Sequence, residues 1–599
     1  MRAFLFILAF GLSLFSVQAQ STSGIYSKIA PNVLKKLSDS KRCDVLVVFA
    51  QKADLSLAAR LRGKEQKGQY VYRRLVETAE SSQRRAQYLL RQCNVPFQSF
   101  FIVNALSIQQ AIEEILLELA KLPEVAYITF DPVVRTLDVL APETPPAIHS
   151  RAGVEWGVAA IRAPEVWDLG YRGQGITVGG ADTGYEWWHP AIRNQYRGYN
   201  PFTEQVDHNY HWHDAIHEIS PLSGDSIPLP TNNPCGLNVP YPCDDHNHGT
   251  HTMGTMVGDD GQGNQIGVAP AAKWIACRNM ERGNGKPSTY LECFEWFLAP
   301  TDLDGKNPRP DLAPHVINNS WYCSVEEGCT DLVVNDLLRQ AIVALRAAGI
   351  VVVVSNGNSG HRGCASANYP PAYFEESFSV GATASNDSIT GFSSRGPVTI
   401  DSSGRIKPNV VAPGAAVRSC IRNNGYAHFW GTSMAGPHVA GLVALLLSAR
   451  PDLAGEVDLI EDIIERTAVP KFGWQDCSDS SGLAYPNNTY GYGRVDALAA
   501  VREALTLSYT GERPTPELDI ALMCNPITNA ARFRVRSSSG QLAVNIYSTE
   551  GRLIYSFEQM ISTGEVSFEI PLSHLPNGLY FWRAQLGSNI SIGKFVLQR

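Results

Sequence analysis

The sequence predicts an α/β protein, a parallel β-sheet with helices on both faces, preceded by a small α+β domain and followed by a small β-sandwich. Three observations carry this. Between about residues 155 and 505, apolar runs such as GITVGGAD, HVINNS and GIVVVVSN alternate with helical segments. Strands apolar on both faces belong to a sheet covered on both sides, and the helices between them supply the crossovers that parallel strands require. Ahead of this region strand, helix, strand, helix and strand follow one another within about 100 residues, the order of a compact α+β unit. Behind it, apolar and polar residues alternate between turn signals, the pattern of antiparallel strands.

At 599 residues the chain is too long for one core, and about 150 residues per domain implies three or four parts. A formal net charge of −8 provides no polycationic surface and argues against a nucleic-acid partner. Residues 1–19 combine a basic start at Arg2, an apolar run from Ala3 to Val17 and the small residue Ala19. That is a secretory signal peptide, too short in its apolar part to span a membrane. No later stretch reaches about 18 uninterrupted apolar residues, so an exported chain without a transmembrane segment is expected. Export permits disulfides among the twelve cysteines, and the close pairs Cys235 with Cys243 and Cys323 with Cys329 are the first candidates.

In chain order, DVLVVF (44–49) reads as a buried strand and the charged amphipathic stretch to about Arg91 as a helix. FFIVNALSIQ reads as a strand, AIEEILLELAKL as a helix and VAYITFDPVV as a strand. The Pro-rich stretch 137–151 is an exposed linker and an obvious cleavage site. The α/β region then contributes GITVGGAD, AAKWIAC, HVINNS, GIVVVVSN and SFSVGAT as strands, and a buried helix follows Ser433. Function is expected at the strand C-termini. After a second linker, SYTGERPTPELD, the alternating sets Leu542, Val544, Ile546 and Val566, Phe568, Ile570 place an antiparallel β-sandwich over about residues 520–599.

Ser433 stands in GTSMAGPHVAGLVALLL, where a loop becomes a helix N-terminus. Serine there is most often an N-cap. Two other stretches argue for chemistry instead. Asp182 directly follows a buried strand in GITVGGADTG, and His248 opens a run of small residues in DDHNHGTHTMGTMVG. Asp, His and Ser are the trio that acyl transfer needs: the imidazole takes the serine proton, and the carboxylate fixes the imidazole tautomer and stabilises its cation.

With ADTG (181–184), NHGTHTMGTMVG (247–258), GVAPAAKWIAC (267–277), VINNSW (316–321), VVVVSNGNSG (351–360), KPNVVAPG (407–414) and GTSMAGPHVAG (431–441) in order, the region resembles the subtilisin-like serine proteases. NQIGVAPAAKWIA together with the WFLAPTDLDG insert looks most like the bacillopeptidase F branch. The resemblance implies a secreted serine endopeptidase with Asp182, His248 and Ser433 as the catalytic trio. It also implies an oxyanion hole formed by the Asn358 amide and the Ser433 N–H. Segments Ser320, Trp321, Tyr322 and Ser355, Asn356, Gly357 are expected to bind extended peptide by strand addition. Where the family usually continues into glycines after Ser320, this chain reads Trp321 and Tyr322, so the primary specificity pocket is expected to be reshaped.

The domains expected from this reading are a signal peptide (1–19), an inhibitory propeptide (20–140), a catalytic domain (141–510) and a C-terminal domain (520–599). The propeptide is implied by VNALSIQ and LPEVAYITFDP. The C-terminal domain resembles the sorting domains of the type IX secretion system through NPITNAARFRV, LPNGLYFWRAQ and GKFVLQR. A carbohydrate-binding sandwich, favoured by aromatics such as Trp582, is the alternative. The expected partners are protein or peptide substrates, the chain's own propeptide and the secretion machinery. The expected location is secreted or surface-attached, across the outer membrane. No cofactor is expected for the chemistry. Calcium sites are common in the family, but no acidic loop here matches one well enough to name ligands. A competing class, a zinc hydrolase, is raised by His213 and His217 at helical i, i+4 spacing, but HDAIH lacks the glutamate of HExxH. A solvated or substrate-facing histidine patch is the favoured account of that cluster.

Overall fold

The structure, a computed structural model, describes residues 24–135, 153–224, 233–322, 331–473, 477, 484–507, 518–522, 527–537, 540–549, 552–561, 564–586 and 589–599. The expected signal peptide, the 137–151 linker, most of the 508–519 linker and the Cys323–Cys329 pair lie outside the described residues. Contacts divide the chain into two units, Met1–Leu507 and Ser508–Arg599.

The first unit begins with helix α1 (Pro31–Ser40), strand β1 (Cys43–Phe49), the long helix α2 (Gly63–Gln92), β2 (Gln98–Phe100), β3 (Ala105–Ala111), α3 (Glu113–Ala120) and β4 (Val125–Phe130). They form a four-stranded sheet in the order β2-β3-β1-β4, with β1 antiparallel to both β3 and β4. The single strand expected over FFIVNALSIQ is broken: residues 101–104 turn, and Asn104 takes the left-handed conformation at φ 51°. A short strand β5 (Val134–Arg135) closes this part.

The larger part of the unit is built on seven parallel strands. In chain order they are β6 (Thr177–Asp182), β7 (Trp212–Asp214), β8 (Lys273–Arg278), β11 (Val316–Asn319), β12 (Val351–Ser355), β13 (Phe378–Thr383) and β14 (Val410–Pro413). Their order in the sheet is β14-β13-β12-β11-β6-β8-β7. Between β8 and β11 the chain forms the two-residue strands β9 (Met280–Glu281) and β10 (Asn284–Gly285), which pair antiparallel, and then helix α5 (Pro287–Leu298). Helices α4 (His248–Val257), α6 (Leu332–Ala347) and α7 (Thr432–Ala449) complete the cover of the sheet, and a hairpin of β15 (Val417–Ile421) and β16 (Gly425–Phe429) precedes α7. Every strand of the sheet except at Lys273 and His213 is buried along its length, as covering on both faces demands. Helix α7 is apolar enough in length and composition to cross a membrane, yet it is buried in the core of this unit.

Three disulfides are described. Cys235–Cys243 is the expected pair, while Cys277–Cys293, tying β8 to α5, and Cys364–Cys477 join cysteines too far apart in sequence for spacing to match them. The last closes a loop over a separation of 113 residues. In the chain-entropy account such a loop contributes about 4–5 kcal/mol by restricting the unfolded chain. Replacing both Cys364 and Cys477 by Ala is therefore expected to lower the unfolding free energy by roughly that amount, read from denaturant midpoints. An unchanged midpoint would contradict it.

The second unit is two antiparallel sheets around one apolar core. One has the order β17-β18-β21, from β17 (Leu518–Leu522), β18 (Ala530–Ser537) and β21 (Gly564–Pro571). The other has the order β20-β19-β22-β23, from β19 (Gly540–Tyr547), β20 (Leu553–Ile561), β22 (Gly578–Leu586) and β23 (Asn589–Leu597). Leu542, Val544, Ile546 and Ile570 point into that core, as their alternation predicts. Trp582 does too, edge-on to Phe533 at 5.4 Å, which removes it as an exposed sugar platform.

Candidate active site

The sheet brings the polar residues together at its C-terminal edge. Asp182 is the last residue of β6. The parallel register pairs Asn319 of β11 with Ala181, which sets Ser320 beside Asp182, and it pairs Val354 of β12 with Asn319, which sets Ser355 next in line. Three adjacent strands thus end at one place, where side chains leave the apolar sheet.

His248 is the first residue of α4 and is 2% exposed. Its Nδ1 lies 2.8 and 2.9 Å from the two carboxylate oxygens of Asp182. Asp182 also accepts the Thr183 N–H at 2.7 Å, so the carboxylate is held from two sides. The turn that delivers His248 is organised by Asp244. Its carboxylate accepts the N–H groups of His246, Asn247 and Thr250 and the hydroxyls of Thr183 and Thr250. A carboxylate with that many donors fixes the loop around the start of α4.

Ser433 is the second residue of α7, and Gly431 occupies the N-cap position. The Ser433 hydroxyl donates to the Ser320 carbonyl at 3.0 Å, and the Ser320 hydroxyl donates to the Ser433 carbonyl at 2.8 Å. Ser433 therefore does not cap its own helix, and its N–H is one of the first-turn donors without an intrahelical partner. The paired bonds tie the α7 start to the end of β11.

Asn358 follows β12 in the SNGNSG loop. Its Oδ1 accepts both the Thr432 N–H and the Thr432 hydroxyl at 2.9 Å, which leaves Nδ2 as the free end of the amide. Gly431 has φ 147°, and a Cβ placed on it would lie 3.5 Å from Asn358 Nδ2 and 3.6 Å from the Ser433 nitrogen. The two donors thus flank one small space beside Gly431, whose φ is one that side-chain-bearing residues rarely adopt. An oxyanion placed there would receive both N–H groups. Asn358→Ala is expected to lower kcat about 100- to 1,000-fold with little change in KM or thermal midpoint, and near-normal turnover would remove Asn358 from this role.

The substrate-binding candidates are placed less simply. Ser320, Ser355 and Asn356 are buried at the strand ends, and Asn356 donates its amide to the Ser394 carbonyl at 2.7 Å. Trp321 turns into the core and stacks on Tyr290, ring centroids 4.0 Å apart. Its side chain is fully buried and so offers no surface to a bound peptide. Tyr322 is 9% exposed and stacks on Tyr369 at 5.9 Å, while Gly357 takes φ 93° beside Ser394.

A strand-binding edge that sequence reasoning missed lies at β10. Strand β5 adds to it antiparallel, Val134 opposite Gly285 and Arg135 opposite Asn284. Gly285 lets β10 lie against α5, because a Cβ there would fall 2.3 Å from the Tyr290 hydroxyl. The G-N-G turn at 283–285 before Pro287 was the available signal, but two-residue strands carry no periodicity.

The histidine cluster is corrected. His213 lies on β7, not on a helix, and both His213 and His217 hydrogen-bond to the buried Glu292 of α5, at 2.7 and 3.0 Å. Glu292 holds His217 up to about 9 against the opposing effect of burial. His211 and His251 are pushed down by burial, to about 4 and 3. His213 and His217 are thus tied to Glu292, although the His217 side chain is still 38% exposed. Among the described residues no three or more His, Cys, Asp or Glu side chains gather to hold a metal ion.

Residues 173–493 match the family described as Subtilase family, and residues 524–598 match the Secretion system C-terminal sorting domain. Bacillopeptidase F of Bacillus subtilis is 36% identical over 514 residues, which cover 81% of this chain and 33% of that protein. The chain thus spans about a third of the length of that relative. Subtilisin DY of Bacillus licheniformis is 31% identical over 302 residues, 50% of this chain and 87% of the relative. Subtilisin E of Bacillus subtilis is 28% identical over 358 residues, 59% of this chain and 73% of the relative.

Proposed function

Since this chain belongs to the subtilase family, we propose that it is a secreted serine endopeptidase that hydrolyses peptide bonds through an acyl-enzyme. Ser433 attacks the scissile carbonyl, and His248 takes the serine proton and returns it to the leaving amine. Asp182 orients His248 and balances its charge, while Asn358 Nδ2 and the Ser433 N–H hold the oxyanion. The observation that carries this reading is the two-oxygen contact of Asp182 with His248 Nδ1, at 2.8 and 2.9 Å. In the described conformation Ser433 donates to Ser320, so attack requires its hydroxyl to rotate toward His248. Casein hydrolysis by the purified protein tests the class. Activity should survive a zinc-selective chelator and vanish with a serine-directed acylating reagent, and the reverse would overturn the proposal.

The zymogen belongs to the same reading. Residues 20–140 act as an intramolecular inhibitor, removed when the enzyme cuts its own linker. What supports this is β5 on the β10 edge and a buried ion pair between Lys67 of α2 and Glu456, 3.0 Å. In addition, the Glu295 carboxylate of α5 accepts the N–H groups of Phe101 and Ile102 at 2.6 and 2.9 Å, in the turn that broke the expected strand. The sorting tail supports export, and release or surface attachment through residues 520–599 is part of the proposal.

The clasp at Glu295 gives a pH dependence. Burial raises this carboxyl from 4.5 to about 8, with Glu292 adding and the two N–H donors opposing. A raised carboxyl binds its proton more tightly when docked than when free, so docking is favoured at low pH and weakens as pH rises through about 8. The cleaved N-terminal segment should therefore stay with the enzyme through size-exclusion chromatography at pH 5 and leave it at pH 8.5. Glu295→Gln should flatten the difference, and tighter association at the higher pH would contradict the assignment.

A further inference from the structure

Beside the β10 edge, the N-terminal domain presents two carboxylates to the catalytic domain. Lys286, at the start of α5 and 7% exposed, donates from Nζ to Asp44 Oδ2 at 2.8 Å and also contacts Glu218. Asp131, 2% exposed, accepts the Ser288 N–H of the first turn of α5 at 3.1 Å. Asp131 precedes by three residues Val134, the residue opposite Gly285. The chain from Asp131 to Arg135 thus runs from a helix-start N–H, two residues past Lys286, onto a strand-accepting edge.

When the N-terminal domain is cut away, Asp44 and Asp131 leave with it. Lys286 keeps Glu218, and Ser288 loses its acceptor. Glu218 does not close the site, because Asp44 reaches Lys286 Nζ while Glu218 is in contact, and Asp131 sits on the neighbouring Ser288 N–H. An ammonium has three protons to donate, and a helix start favours negative charge. We propose that Lys286 and the Ser288 N–H form an acidic-residue subsite of the mature enzyme, which takes an Asp or Glu side chain of the substrate three residues N-terminal to the residue facing Gly285. This deepens the endopeptidase reading and rests on it. The substrates it favours are extended segments with an acidic residue ahead of the strand-forming stretch, as in the chain's own DPVVR.

The test uses the self-matured enzyme and three synthetic peptides with the sequence of residues 127–142: unaltered, Asp131→Asn and Asp131→Lys. Each is measured as a competitor of casein hydrolysis, which reports binding whether or not the peptide is itself cut. The unaltered peptide should bind about tenfold more tightly than the Asp131→Asn peptide and more tightly still than the Asp131→Lys peptide. With Lys286→Gln enzyme the first two should converge to within about twofold. If that variant does not mature, the ranking of the three peptides on wild-type enzyme decides alone. Equal competition by all three, with casein digested normally, would overturn the subsite and leave the endopeptidase reading standing. A wild-type protein inert on casein would overturn both.

Discussion

Ser433→Ala is expected to lower peptide-bond hydrolysis about a million-fold, the magnitude that loss of the nucleophile costs subtilisins. On the proposed self-maturation, the variant should also keep its N-terminal domain. Folding should be nearly unaffected. The hydroxyl makes one hydrogen bond, to the Ser320 carbonyl, and the reciprocal bond from the Ser320 hydroxyl to the Ser433 carbonyl survives the substitution. Turnover assays and intact mass check both halves. A variant that still digests casein at a measurable fraction of the wild-type rate would contradict the role given to Ser433. One that is inert yet cut normally would assign maturation to another enzyme.

Asp182→Asn should be the next largest effect, about 10,000-fold in kcat with KM little changed. The carboxylate accepts from His248 Nδ1 through both oxygens and from the Thr183 N–H. Both donors reach Oδ1 and Nδ1 also lies 2.9 Å from Oδ2, so an amide of the same shape brings its NH2 against Nδ1 in either orientation. Facing that NH2, Nδ1 must become the acceptor, the proton moves to Nε2, and the ring no longer takes a proton from Ser433. Packing around a residue 1% exposed is otherwise preserved, so the thermal midpoint should move little compared with kcat. A loss of the same size in stability, with activity restored at low temperature, would mean that Asp182 is structural.

Much of this was legible in the chain because the site lies where strong patterns end. Apolar runs specify the strands, and Asp182, Ser320 and Ser355 stand at their last positions or just past them. His248 and Ser433 open helices made of small or apolar residues. What was not legible arises from tertiary contact. The turn at 101–104 interrupts an apolar run, and its N–H groups are satisfied by Glu295, about 190 residues away in the chain, which no local pattern reveals. His213 and His217 have helical spacing, but pairing of β7 with β8 overrides it and Glu292 of α5 gathers both rings. Trp321 stands at a strand end like its neighbours, yet Tyr290 offers it a stacking partner in the core. Lys286 reads as an ordinary polar residue before Pro287, and only the fold brings Asp44 to it and Asp131 to the nearby Ser288 N–H.

The measurement that bears most directly on the central claim is the location of the adduct formed by a serine-directed phosphonylating reagent on the self-matured protein, read by peptide mass mapping. One adduct on Ser433, formed as casein hydrolysis is lost and greatly slowed in Asp182→Asn, is the predicted result. An adduct on another serine, or full loss of activity with Ser433 unmodified, would contradict it.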